Sequence, residues 1–247
     1  MEVRMSNPIR DEWQSEDGAV RLILGDCLDV LPTLAIGADW GIVADPPYGV
    51  AYKRPRDKAT IAGDDAPFDP APLLQLGLPC VLWGANEYAN RLPKGRWLVW
   101  VKRAVEVVRS AVDFGDAEIA WCSIPGAVRC KRHISDGCIR EGEEHGIVRC
   151  HPAQKPVRVM AWCLGFLPAC ATIVDTHMGS GTTGIACVRM QRHFVGIELE
   201  REHWETAVRR VRAELERFPL FEAVAKPRQL ELLDAGDGSV SVPDCPG

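Results

Sequence analysis

The stretch "ATIVDTHMGSGTTGIACVRMQRHFVGIELE", Ala171–Glu200, restricts the possible folds of this chain more than any other segment. It reads as a short apolar strand, a glycine turn, a helix, a second strand and then an acid. Such a unit calls for a parallel sheet, because parallel neighbours are joined by a crossover that is usually a helix. Gly179, Gly181 and Gly184 fit the spacing G-x-G-x-x-G. The first two glycines let backbone approach a ligand closely, and the helix N-terminus that follows offers unpaired N–H groups. Glu198 ends the second strand, near the spacing at which an acid accepts bonds from ribose hydroxyls. Together these features indicate a cofactor containing adenosine. No G-x-x-x-x-G-K-[ST] segment is present, so the turn is not a phosphate-gripping P-loop. A nicotinamide dinucleotide and S-adenosylmethionine both remain open on this pattern.

Position along the chain separates them. A dinucleotide enzyme commonly opens with its glycine motif and follows with a substrate domain, whereas here the motif comes late. Its partner strands must come from the N-terminal part. Seven strands are expected: Val20–Leu24, Trp40–Ala44, Cys80–Trp83, Trp97–Val101, Ala117–Cys122, Ala171–Val174 and His193–Ile197. A helix is expected over Glu202–Phe218, where Trp204, Ala207, Val208, Val211, Leu215 and Phe218 recur at helical spacing. A second is expected over Pro156–Leu167, with Pro156 in the first helical position.

The second informative stretch is Asp45-Pro46-Pro47-Tyr48. Proline cannot continue a central strand, and Pro46 pushes Asp45 toward extended geometry. The strand therefore stops, leaving Asp45 and Tyr48 on a stiff loop at its carboxyl end. In open α/β sheets that edge binds ligands.

Composition sets the limits. With 247 residues, 47% hydrophobic and 26% charged, the chain suits one generous globular domain. That domain is read as residues 1–221, followed by an acidic, flexible tail at 222–247. The net charge of −5 does not favour a nucleic-acid partner, but it is unevenly spread. Beyond Arg228 the chain has Glu231, Asp234, Asp237 and Asp244 and no Lys or Arg. Bases gather instead at Lys53, Arg54, Arg56 and Lys58, and again at Arg129, Lys131, Arg132 and His133. Residues 122–150 read as an irregular surface insertion. The ten cysteines are scattered without a CxxC and read as reduced. Only Cys130-x-x-His133 has the spacing of a metal-ligand pair, and no metal is expected. No apolar run reaches about 18 residues and the start resembles no targeting signal, so a cytoplasmic protein without a membrane partner is expected.

Four motifs, taken in their order, resemble those of the amino-group DNA methyltransferases of the permuted β group. Asp45-Pro46-Pro47-Tyr48 resembles the catalytic motif. Asp175 with Gly179-Ser180-Gly181-Thr182-Thr183 resembles the S-adenosylmethionine motif, and His151-Pro152-Ala153-Gln154-Lys155-Pro156 the segment preceding it. Gly25-Asp26 resembles the strand-end acid ahead of the catalytic strand. The resemblance spans Val20 to about Phe218. Thr176-His177 departs from it, standing where the family has Pro-Phe.

The resemblance implies a seven-stranded, mostly parallel Rossmann-like sheet with helices on both faces. It implies methyl transfer from S-adenosylmethionine to the N6 amine of a flipped-out adenine in double-stranded DNA. Asp45, Pro46, Pro47 and Tyr48 are then catalytic. Asp26, Cys27, Lys155, Asp175, His177, Gly179, Ser180, Gly181, Thr182, Thr183 and Glu198 hold the cofactor, with Asp26 on its adenine and Glu198 on its ribose. Asn86 is a further candidate at the site. Lys53, Arg54, Arg129, Lys131 and Arg132 contact DNA, the last three from a target-recognition element within the insertion. A homodimer and a cognate restriction enzyme are partners the family allows. The alternatives are cytosine-N4 transfer, an inactive methyltransferase-like domain that binds nucleic acid, and an NAD-dependent oxidoreductase. The Pro79-Cys80 pair matches the nucleophile of cytosine-C5 enzymes only superficially, because Cys80 opens an apolar strand and amine transfer needs no thiol.

Overall fold

The computed structural model describes residues 7–49, 64–103, 115–136, 139–140 and 154–217. Lys53, Arg54, residues 141–153 and the tail lie outside them. The strands are β1 (Asp11–Gln14), β2 (Val20–Leu24), β3 (Trp40–Ala44), β4 (Cys80–Trp83), β5 (Arg96–Val101), β6 (Ala117–Cys122), β7 (Arg129–Arg132), β8 (Ser135–Asp136), β9 (Ile139–Arg140), β10 (Thr172–Asp175) and β11 (His193–Glu198). The helices are α1 (Cys27–Val30), α2 (Ala71–Gln75), α3 (Val157–Leu164), α4 (Thr182–Arg189) and α5 (Arg201–Arg217).

Among the described residues, nine strands form one sheet in the order β1-β2-β11-β10-β3-β4-β6-β5-β7, while β8 and β9 pair separately. The seven expected strands are all present, with ends moved by at most one residue. The sheet has nine strands because an edge strand is added on each side. β1 pairs antiparallel with β2, and β7 pairs parallel with β5. Residues 122–150 are therefore not wholly irregular: Arg129–Arg132 extends the main sheet. From β2 through β4 every pairing is parallel, and β6 runs antiparallel between β4 and β5.

The inner strands are apolar on both sides because both sides are covered. Val43, Val81, Trp83, Leu98 and Trp100 pack on one face against α3, α4 and α5. Ile42, Leu82, Val174 and Ile197 pack on the other against α1 and α2. Trp83 and Trp100 meet edge to face at 6.2 Å and 86°, a pairing worth about 1 kcal/mol beyond area burial. Cys80 is a fully buried core residue, as its apolar strand implies.

The sheet's helices differ from expectation at one point. Pro156 has ψ 139 and caps α3, so the first helical residue is Val157. The helix ends at Leu164, where bonds from Phe166 to Cys163 and from Leu167 to Leu164 tighten the chain into a narrower turn. α5 matches the apolar stripe, burying Trp204, Ala207 and Val211. No described helix is long and apolar enough to cross a membrane.

This topology gathers the carboxyl ends of β2, β3, β4, β10 and β11 along one edge. β10 leads into α4 on one face, while neighbouring β3 is followed by α2 on the other. The chain thus switches direction between Asp175 and Asp45, which is where a crevice opens in doubly wound sheets.

Candidate active site

β3 ends at Ala44, and Asp45 is the first residue past it. Tyr48 donates to Asp45 Oδ1 at 2.7 Å. Lys155 donates to Asp45 Oδ2 at 2.5 Å and to the Tyr48 hydroxyl at 3.2 Å. The same Nζ lies 3.1 Å from Glu118 Oε2, and Glu118 Oε1 is 3.0 Å from Lys102 Nζ. Lys155 is 6% exposed and sits over the Trp83 ring at 5.0 Å.

Strand direction explains the cluster. β6 is antiparallel, so its first residues lie at the edge where the parallel strands finish. Ala120 is opposite Trp83, and Glu118 lies two residues further out, on the same face. Lys155 enters that face just ahead of α3. Burial pushes the Asp45 carboxyl above its ordinary value, against the pull of Lys155. Burial opposes the charge on Lys155 too, but Asp45 and Glu118 outweigh it and hold the ammonium. Glu118 is likewise disfavoured by burial, yet Lys155 and Lys102 hold it down at about 2.

The glycine turn follows β10. Buried Asp175 accepts from His177 N at 3.0 Å and from Thr183 Oγ1 at 2.5 Å, tying both ends of the turn together. Its carboxyl is pushed up to about 7 by burial, despite those two donors. Gly179 N donates to Glu198 Oε2 at 2.9 Å, and Glu200 N donates to Oε1 at 2.8 Å. Gly181 has φ +76 and caps α4. A Cβ there would meet Ala207 of α5 at 3.0 Å, so helix packing as well as backbone shape requires glycine. Arg210 of α5 donates to the Ser180 carbonyl. Ser180 is buried in the turn, and Thr182 and Thr183 are buried in the first turn of α4.

Asp26 follows β2, caps α1 by accepting from Leu28 N at 2.9 Å, and stays exposed. Cys27 Sγ lies 4.0 Å from His177 Nε2. That thiol is pushed up to about 12, by burial and then by Asp26, so it is no nucleophile at neutral pH. Burial pushes His177 down to about 4, which leaves the imidazole neutral. Phe68 meets its ring edge-on at 5.8 Å.

The structure thus brings Asp26, Cys27, Asp45, Tyr48, Lys155, Asp175, His177, the glycine turn and Glu198 to one edge. Lys155 stands at Asp45. Asn86 is exposed and donates to Glu87. The basic strand β7 is at the far end of the sheet. Arg129 and Lys131 share one side of it and Arg132 takes the other, by strand alternation. Arg132 pairs with Val101, so it is the one nearest the site edge. Sequence reasoning passes over Glu118, Trp83 and Gly84. A single acid inside the apolar strand "AEIAWC" is the available signal for Glu118.

Residues 130–209 match the model of a family described as DNA methylase. Over that third of its length the chain is similar to the N6/N4 DNA methylases. YubD of Escherichia coli K12, provisionally named a methylase, is 27% identical over 78% of this chain and 90% of its own length. The type II methyltransferase M2.DpnII of Streptococcus pneumoniae is 39% identical, but over only 27% of this chain and 25% of that protein. Among solved structures, the cytosine-N4-specific PvuII DNA methyltransferase aligns with a TM-score of 0.54 at 14% identity, covering 85% of this chain and 95% of that one. That likeness is one of fold. The methylase match begins at Cys130 and contains Lys155 and the glycine turn, while Asp45 lies upstream of it.

Proposed function

We propose that this methylase domain transfers a methyl group from S-adenosylmethionine to the N6 amine of an adenine taken out of double-stranded DNA. The observation that carries the reading is the Asp45 carboxylate, held by Tyr48 and Lys155 one strand away from the Asp175 turn. The donor set at the turn suits that cofactor. A neutral His177 does not repel a sulfonium, and exposed Asp26 and buried Glu198 offer acceptors for adenosine. Asp26, Cys27, His177, the 179–183 turn and Glu198 would hold it, and the bound group supplies an electrophilic methyl carbon.

The exocyclic amine of adenine is a poor nucleophile because its lone pair is conjugated with the ring. An acceptor on the amine, placed where positive charge develops, favours a more tetrahedral nitrogen. Asp45 provides one acceptor and the Pro46 carbonyl a second. The Pro46-Pro47 pair keeps the loop stiff, so little reorganisation is needed at the moment of reaction. A base inside a duplex cannot reach this edge and must be extruded, and the Tyr48 ring offers a stacking face. Such a stack is worth about 1–3 kcal/mol per base. Arg132, with Arg129 and Lys131, contacts phosphates and fixes register, and Lys53 and Arg54 are assigned the same role.

The reading is tested by incubating the protein with methyl-labelled S-adenosylmethionine and unmethylated DNA, then identifying the labelled nucleoside. N6-methyladenine is the expected product. N4-methylcytosine would replace the adenine reading with the cytosine one, and no labelled base at all would defeat both.

A further inference from the structure

Lys155 Nζ bridges two buried carboxylates, at 2.5 Å from Asp45 and 3.1 Å from Glu118. An amine that hydrogen-bonds Asp45 must share or displace that ammonium. A buried ammonium left without a partner is costly, so it cannot simply withdraw. Glu118 offers the second anchor. It is itself fixed from outside by Lys102, whose backbone N–H is also held by the Asp116 carbonyl.

We propose that Glu118 is a positioning residue for methyl transfer: by sharing Lys155 with Asp45, it lets the ammonium move aside for the target amine and sets the pH range over which Asp45 accepts. The inference rests on the methyl-transfer reading given above. Geometry supports it from three places, since the loop after β3, strand β6 and the segment before α3 each contribute one charge to the bridge. Among the described residues, the other titratable groups around it are few. Tyr48 faces Asp45 from its own loop, Tyr88 from beyond β4 and Asp175 from β10. Cys163 of α3 faces Lys155, and Lys102 at the end of β5 faces Glu118.

Two substitutions have opposite expected effects. Glu118→Gln removes a negative charge beside Asp45 and leaves Lys155 wholly to it, so the Asp45 titration midpoint falls by about one pH unit. Lys102→Met leaves Glu118 less neutralised, so the Asp45 midpoint rises. A merely structural role for Glu118 predicts no such opposition of sign. The measurement is the ¹³C carboxyl titration of Asp45, assigned by difference against Asp45→Asn, with thermal unfolding to confirm that each variant is folded. If Glu118→Gln does not fold, the rise in Lys102→Met still decides the matter. The acid limb of methyl transfer should follow the same two shifts. An Asp45 midpoint unmoved by either change, or moved the same way by both, overturns the inference while leaving methyl transfer intact. A wild-type protein that transfers no methyl group sinks the functional reading and this role with it.

Discussion

The Tyr48 ring occupies the space that a side chain on Gly84 would need. A Cβ built on Gly84 would come within 2.0 Å of Tyr48 Cε1, and Gly84 has φ +67. The tyrosine on the β3 loop can sit against the turn after β4 only because Gly84 has no side chain. Its hydroxyl is then in reach of both Asp45 and Lys155.

Gly84→Ala should therefore displace Tyr48 and weaken base engagement. Loss of one stack, about 1–3 kcal/mol, corresponds to a drop of about 5- to 150-fold in affinity for an extruded base. Fluorescence of 2-aminopurine at the target position reads this directly. A variant that raises the signal as wild type does would show that Tyr48 does not hold the base.

His177 and Asp175 should make opposing contributions to stability as pH changes. The native Asp175 carboxyl titrates at about 7 against 3.8 for an ordinary aspartate. It holds a proton that the unfolded chain has shed, so its contribution to stability falls as pH rises from 4 to 7. Native His177 titrates at about 4 against 6.5. There the unfolded chain holds the extra proton, so stability rises between pH 4 and 6.5. His177→Phe should remove the second slope and expose the first. Relative to wild type, the variant should gain up to about 3 kcal/mol on going from pH 6.5 to pH 4. Urea unfolding across that range checks it, and a difference between the two proteins that does not change with pH would refute the assignment.

Strand β7 yields an electrostatic prediction. Arg132 alone and the Arg129–Lys131 pair lie on opposite sides of the strand, so they need not touch the same phosphates. Removing one phosphate-binding cation should flatten the log–log salt dependence of DNA binding by about 0.9. Arg132→Ala, nearest the site edge, should flatten it, and cofactor affinity measured by calorimetry should not change. Unaltered slopes in Arg132→Ala and in the Arg129→Ala, Lys131→Ala pair would remove β7 from the DNA interface.

The most legible strands in the sequence are those buried on both faces. "TIVD", "CVLW" and "WGIVA" have no polar side to offer water. β1, "DEWQ", and β7, "RCKR", carry no such mark. An edge strand is held mainly by backbone pairing with one neighbour, which charged residues satisfy as well as valines. The candidate site shows the same division. Asp45 and the glycine turn announce themselves because proline fixes the backbone locally and glycine allows shapes that other residues rarely adopt. The resemblance puts Lys155 beside the cofactor. Its bond to Asp45, 110 residues away, depends on how α3 lies across the sheet. Glu118 depends on β6 running antiparallel, which no local pattern records.

The most direct test of the central claim compares wild type with Asp45→Ala, using methyl-labelled S-adenosylmethionine, unmethylated DNA and calorimetry of cofactor binding. The account predicts labelled N6-methyladenine from wild type, none from the variant, and cofactor affinity preserved within a few-fold, because Asp45 faces the amine and the turn at Asp175 holds the cofactor. Near-normal methyl transfer by Asp45→Ala would contradict it.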